Sequence, residues 1–407
     1  MGEILEGIRI LECTTFQHGT AGGYMLAQLG AEVIKVEEPG VGDASRHFYN
    51  LWGSSMALPG DRNLFMETAN RDKKSITLDL RQEEGRRIFH ELVAKVDVFL
   101  TNFRPATLCR MGADYESLSK PNPRLIYALA SPVGPQGPIT SKRFFDPLAQ
   151  ALSGVMWMMG ERDHEEPWQV VGGLFDQTGA TMTAWGILAA LLHRERTGEG
   201  QKIEASLLGT ALHMQAVNVN TALMQGRAMG RHSRARARNP MSNHYRCADD
   251  KWIMLAEPQS DRYWAEMCLL MEREDLALDP NLDTAVHRRE HYAVAIKGLE
   301  EAFASRPRDE WVRIFDENGC QFGYAPVLNT EEAVNYSQAV ESGYVVDLED
   351  EDGTPWKLVG PPVHFEKTPA RPRGLAPRLG EHTEEVLQGI LGYSPERIAE
   401  VRDAGLL

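Results

Sequence analysis

Residues 172–208, GGLFDQTGATMTAWGILAALLHRERTGEGQKIEASLL, constrain this chain more than any other stretch. From Thr178 to Leu192 no side chain is charged, and most are Ala, Gly, Met, Leu, Ile or Trp. A helix that is apolar on every side has no face to offer to water, so the pattern predicts a buried helix. His193, Arg194 and Arg196 fall in its last turn, where cations oppose the negative end of the helix dipole. Thr197-Gly198-Glu199-Gly200 then ends it, glycine being the usual terminator. Lys202–Ala205 alternates in the manner of a strand. Asp176 is expected about two residues ahead of the helix start. It reads either as a simple N-cap or as an acid that free backbone N–H groups keep ionised for chemistry. The local pattern leaves both readings open.

A chain of 407 residues exceeds one ordinary core and is expected to form two domains. Its 43% hydrophobic and 25% charged residues are globular proportions, which excludes a disordered chain. The net charge of −15 makes it a poor general binder of nucleic acid or anionic membrane, so an anionic ligand needs a local basic pocket. The basic run Gly226–Arg238, GRAMGRHSRARAR, is therefore expected to link domains or add local positive charge rather than bind nucleic acid. Five cysteines without paired spacing indicate neither a zinc site nor a disulfide framework. No stretch approaches the roughly 20 apolar residues of a membrane span, and the acidic N-terminus does not read as a signal peptide. A cytoplasmic protein is expected.

Ile8–Glu12, the small-residue segment Ala21–Leu29 and Ala31–Glu37 read as a βαβ unit. The turn at Phe16-Gln17-His18-Gly19-Thr20 lacks the GxGxxG of dinucleotide binding, which argues against NAD or FAD. Asn70, Arg71, Lys73 and Lys74 form a basic turn ahead of the strand Ser75–Leu80. Gln82–Val96 is amphipathic, with Ile88, Leu92 and Val96 on one stripe. Asn102-Phe103-Arg104-Pro105 leaves the carboxyl end of the strand Asp97–Leu100, the end at which open α/β sheets bind ligands. The Gly/Pro-rich loop Pro135–Arg143, basic at Lys142 and Arg143, is expected to cover a ligand. Phe144–Gly154 and the run Val155–Met159 follow, and at helical spacing Met and Trp are first of all core fillers.

Four segments, residues 24–43, 70–80, 172–208 and 376–392, together resemble the class III CoA-transferases, the formyl-CoA transferase and carnitine CoA-transferase (CaiB/BaiF) group. The matching pieces include LAQLGAEVIKVEEPGVGD, NRDKKSITLDL, the run that begins at Asp176, and PRLGEHTEEVL. The superfamily also contains the α-methylacyl-CoA racemases. The resemblance implies an α/β fold: a Rossmann-like parallel sheet in a large domain, a smaller α+β domain, and an interlocked ring-like homodimer. It divides the chain into a large CoA-binding part at 1–210, a linker at 211–235, a small domain at 236–328, and a return linker with the end of the large domain at 329–407.

By resemblance, Asp176 is the nucleophile that moves CoA from an acyl-CoA donor, succinyl-CoA being a common choice, to a carboxylic acid through aspartyl anhydride and aspartyl-CoA thioester intermediates. CoA is then substrate and product, with no tightly bound cofactor and no metal. Its contacts are expected at Gln17, His18, Arg71, Lys73, Lys74, Asn102, Phe103, Arg104 and Lys142. Phe145, Trp157 and Met158 would line the acyl pocket. Phe145 stands where the racemases carry a His, and epimerising an α-carbon needs two acid/base groups, so the resemblance favours transferase over racemase. A subunit of a heteromeric transferase is the other alternative. Asn239–Asn243 contains no glycine, so a glycine-loop gate is in doubt there.

Overall fold

The computed structural model describes residues 2–162 and 166–407. They form two compact units: residues 2–156, 169–228 and 342–407, and residues 157–162, 166–168 and 229–341. The first unit is built on six strands: β1 (Arg9–Cys13), β2 (Glu32–Glu37), β3 (Lys74–Thr77), β4 (Val98–Thr101), β5 (Ile126–Ser131) and β6 (Lys202–Ser206). All pair in parallel, in the order β6-β5-β4-β1-β2-β3. That is the strand order of the doubly wound nucleotide-binding sheet.

Parallel strands covered on both faces must be apolar on both, and the sequence obeys this with a period of two. Leu11, Ile34, Val36, Ile76, Phe99 and Tyr127 point to one core, shared with Ile88, Phe89 and Leu92 of the helix Glu83–Val93. Ile10, Val33, Val98, Leu100, Ile126 and Ala128 point to the other, against Leu26, Ala184, Ile187 and Leu191. Val386, Leu387, Ile398 and Val401 complete the first core. The C-terminal helices Thr383–Leu391 and Pro395–Asp403 thus return to the sheet built by the first half of the chain.

The long helix runs from Leu174 to Thr197, so it starts ahead of Asp176 rather than after it. Nor is it buried all round. Gly179, Ala180, Thr183, Ala184, Ile187, Ala190 and Leu191 are buried, while Trp185 is 66% and Leu192 53% exposed. The uncharged outer face borders a cavity of about 500 Å³ lined by Met182, Trp185, Ile203 and His213 beside the edge strand β6.

The second unit carries an antiparallel sheet of β7 (Ser242–Arg246), β8 (Trp252–Ala256) and β9 (Tyr324–Val327). Tyr245, Ile253 and Leu255 pack there with Trp264, Leu299, Phe303, Trp311 and Phe315 from its helices. The basic run is stitched into this unit. Arg231 stacks over Trp157 at 3.7 Å, and Arg234 lies 5.6 Å from the Trp252 ring and pairs with Glu300. No helix among the described residues is long and apolar enough to cross a membrane.

Candidate active site

Two consecutive glycines launch the long helix. Gly172 (φ 94°) and Gly173 (φ 73°) both take the left-handed conformation that side chains with a Cβ rarely adopt. The chain then enters the helix at Leu174, and Asp176 is its third residue. Gly173 provides no side-chain cap. Asp146 caps the helix instead, from 30 residues upstream in sequence: its Oδ2 accepts the N–H of Phe175 at 2.5 Å and of Asp176 at 3.1 Å. Gln150 holds that carboxylate by donating to its Oδ1 at 2.5 Å, and is itself fixed by two bonds to the Val170 backbone.

This overturns the expectation that the helix start keeps Asp176 ionised. The backbone donors are already used by Asp146, which also brings a second negative charge. Burial pushes the Asp176 carboxyl up to about 7, and the nearby Asp146 adds to the rise. Asp176 is therefore neither a helix cap nor a salt-bridged acid; it is a largely desolvated carboxyl that is partly protonated at neutral pH.

The turn after β1 meets this helix. Gln177 donates to Gln17 Oε1 at 3.0 Å, and Gln17 donates to Phe65 O at 3.0 Å. The His18 ring packs against the helix at Gly179, where any Cβ would come within 2.8 Å of His18 Cδ2. Burial lowers the His18 pKa to about 3, so the ring is neutral, and its Nε2 has no hydrogen-bond partner among the described residues. Asn102, at the carboxyl end of β4, clamps the turn: its Oδ1 accepts Thr15 N–H at 3.0 Å, and its Nδ2 donates to Thr15 O and His18 O, both at 2.7 Å. Gly19 (φ 84°) has no room for a side chain, since a Cβ would sit 2.8 Å from that of Ala130. These groups gather between β1 and β4, where the strand order reverses direction and doubly wound sheets bind their ligands.

The structure thus brings together Gln17, His18 and Asn102, with Gln17 bonded to Gln177, the residue after Asp176. It disposes of the basic turn differently. Lys73 is buried and spends its ammonium on both Glu12 oxygens at 2.9 Å, Thr20 O at 2.8 Å and Asn70 Oδ1 at 3.2 Å, so the reading of it as a phosphate contact is corrected. Arg71 is buried over the Tyr24 ring and donates to Val359 O. Lys74 begins β3, at the amino edge of the sheet, and pairs with Glu32 and Glu385 at 2.8 and 2.7 Å, away from the ligand-binding edge. Arg71 and Lys74 thus have partners within the protein, although the buried Arg71 Nε has none among the described residues.

Phe103 packs against the first core, whereas Arg104 and Lys142 are exposed with no side-chain partner among the described residues. Phe145 is 58% exposed, just ahead of Asp146. Trp157 and Met158 belong to the second unit. The residues missed from sequence are Asp146 and the buried charges Glu12, Lys35 and Asp43. The Asp146-Pro147 pair that opens its helix was a readable signal for the first.

Comparison with known proteins gives the chain its family. The model of CoA-transferase family III matches residues 5–383. An acyl-CoA transferase of Fusarium pseudograminearum is 32% identical, over 99% of this chain and 88% of its own length. The (R)-2-hydroxy-4-methylpentanoate CoA-transferase of Clostridioides difficile is 30% identical over 98% of both chains. Among solved structures, a CaiB/BaiF family protein from Brucella suis superposes with a TM-score of 0.84 at 27% identity, covering 96% of this chain and 100% of that one. The chain belongs to CoA-transferase family III.

Proposed function

We propose that this protein exchanges CoA between an acyl-CoA thioester and a free carboxylic acid, with Asp176 as the covalent carrier. The observation that carries the reading is the setting of Asp176: a desolvated carboxyl whose raised pKa no cation among the described residues offsets, one residue ahead of Gln177, which bonds Gln17 in the turn at the sheet's switch point. A carboxylate stabilised by a salt bridge would be a poor nucleophile, whereas one raised to about 7 is both available and reactive at neutral pH.

The ionised Asp176 attacks the thioester carbonyl, forming an acyl-aspartyl anhydride and releasing CoA thiolate. The thiolate attacks the aspartyl carbonyl, giving an aspartyl-CoA thioester and the free donor acid. The acceptor carboxylate attacks that thioester to give a second anhydride and thiolate, and the thiolate then takes the new acyl group, freeing Asp176. Each step passes through an oxyanion that needs positioned donors. The N–H groups of Gln17, His18 and Gly19 have no acceptor among the described residues, which supports this turn as the donor set. Arg104 and Lys142 are the expected cations left free for the phosphates of CoA.

Relatives that act on (R)-2-hydroxy-4-methylpentanoate, cinnamoyl-CoA with phenyllactate, and succinyl-CoA with glutarate support a carboxylic acid acceptor, with succinyl-CoA a candidate donor. The apolar outer face of the Leu174–Thr197 helix supports a homodimer, because a bare Trp185 and Leu192 are costly in water. A monomer in sedimentation would refute that assembly.

The decisive experiment is CoA exchange between succinyl-CoA and a panel of carboxylic acids. Asp176→Ala should lose about 10⁴-fold or more of kcat, the scale of removing a covalent nucleophile. Hydroxylamine with acyl-CoA should label Asp176 in the wild type. Normal turnover by Asp176→Ala would defeat the reading, while Arg104→Ala should raise KM for the donor with little change in kcat.

A further inference from the structure

Beneath the Thr14–Gly19 turn lies a set of charges that the transfer steps do not use. The side chains of Glu12 on β1, Lys35 on β2, Lys73 and Asp43 are all fully buried. Lys35 Nζ lies 2.8 Å from Asp43 Oδ2 and 3.2 Å from Glu12 Oε1, and donates to Thr14 O at 3.0 Å. Lys73 takes up the rest of Glu12. Two cations and two anions balance, yet burying such a set is often no more stable than an apolar core of the same volume. Its use must be sought in what it holds.

Asp43 is the member that reaches the turn. Its Oδ1 accepts Thr15 Oγ1 at 2.9 Å and the N–H of Phe16 at 3.1 Å, with Ser45 N and Oγ at 2.8 Å. Phe16 has φ 58°, a left-handed conformation that a bulky residue keeps only when its surroundings impose it. The next two residues are Gln17, bonded to Gln177, and His18, seated on Gly179. Asn102 grips Thr15 and His18 from the other side of the turn.

We propose that Asp43, oriented by Lys35, is a positioning residue for the transfer reaction: it holds Phe16 in the left-handed conformation and so presents Gln17 and His18 to the helix that carries Asp176. Asp43 is buried under the turn and acts through it. The inference deepens the CoA-transfer reading and rests on it for what is being positioned.

Asp43→Asn in the full chain tests it. The Asn Nδ2 cannot face the Lys35 ammonium while its Oδ1 keeps the Phe16 N–H, so the turn should slip. The expected result is a kcat lower by about tenfold to a hundredfold, the cost of a small misplacement, with KM for the acyl-CoA donor near that of the wild type. Hydrogen exchange should quicken at the Phe16 and Thr15 amides, which Asp43 and Asn102 hold, and stay slow across β4. A folded Asp43→Asn with wild-type kcat, or one that loses kcat without faster exchange in the turn, overturns the proposal. Should Asp43→Asn not fold, Asp43→Glu decides: it keeps the charge beside Lys35, but its longer arm cannot hold both partners. The same kcat loss is expected, and wild-type kcat would overturn the idea. Asp176→Ala, measured alongside, separates the two readings. If it remains active while Asp43→Asn is slow, the Asp176 assignment fails and the positioning role stands.

Discussion

Asp43 is buried and Asp176 largely so, and their carboxyls move in opposite directions. Burial is the largest influence on each and by itself raises the pKa. At Asp43 the Lys35 ammonium and the Ser45 donors outweigh burial, and the carboxyl falls to about 2. At Asp176 no cation offsets it, the second carboxylate of Asp146 adds to it, and the value rises to about 7. The difference is one of neighbours rather than depth. A counter-charge makes a buried acid a permanent anion that can hold a backbone in place. A like charge leaves it able to gain and lose a proton, and unpaired enough to attack.

The contrast can be broken most severely through stability. Asp176 binds a proton in the folded chain between its unfolded value near 4 and its folded value near 7, while the unfolded chain has released it. Its contribution is therefore present below pH 4 and is lost as pH rises through 7. Asp176→Asn, which mimics the protonated acid, should match the wild type in melting at pH 4. At pH 8 it should be more stable by an amount on the order of a few kcal/mol, reduced by the carboxyl's partial contact with solvent. Equal melting temperatures at pH 8 would show that the carboxyl is not strained. Asp43 carries the opposite sign: its stabilisation is present above pH 4 and is lost only as pH falls through about 2.

The smaller effect sharpens the role of Asp146. The rate of transfer should follow ionisation of Asp176, so kcat/KM should climb with pH to a limb near 7 in the free enzyme. Asp146→Asn removes the like charge and should move that limb to lower pH. Burial is the larger cause, so the move should be under about one pH unit. A limb that stays fixed would assign the whole shift to burial.

Much of the fold was legible from period and composition. The alternating apolar strands 9–13, 32–37 and 98–101, the amphipathic helix around Ile88 and Leu92, and the small-residue helix after Gln17 each carry their partners in their own pattern. Of the candidate site, Gln17, His18 and Asn102 meet at one edge of the sheet, and Gln17 bonds Gln177, the residue after Asp176. Lys73 was not legible, because it looks like a surface cation until Glu12, 61 residues away in sequence, is seen beneath it. The start of the long helix was also misjudged. Its cap is Asp146, and a cap supplied from 30 residues upstream leaves no local signature.

By itself, then, the sequence determined that an acid would stand near the start of an uncharged helix, in a chain of alternating strands and helices. Only the tertiary structure decided the state of that acid. Ionisation depends on the charges and water within a few ångströms, and those come from residues distant in the chain: Asp146 for Asp176, and Lys35 for Asp43.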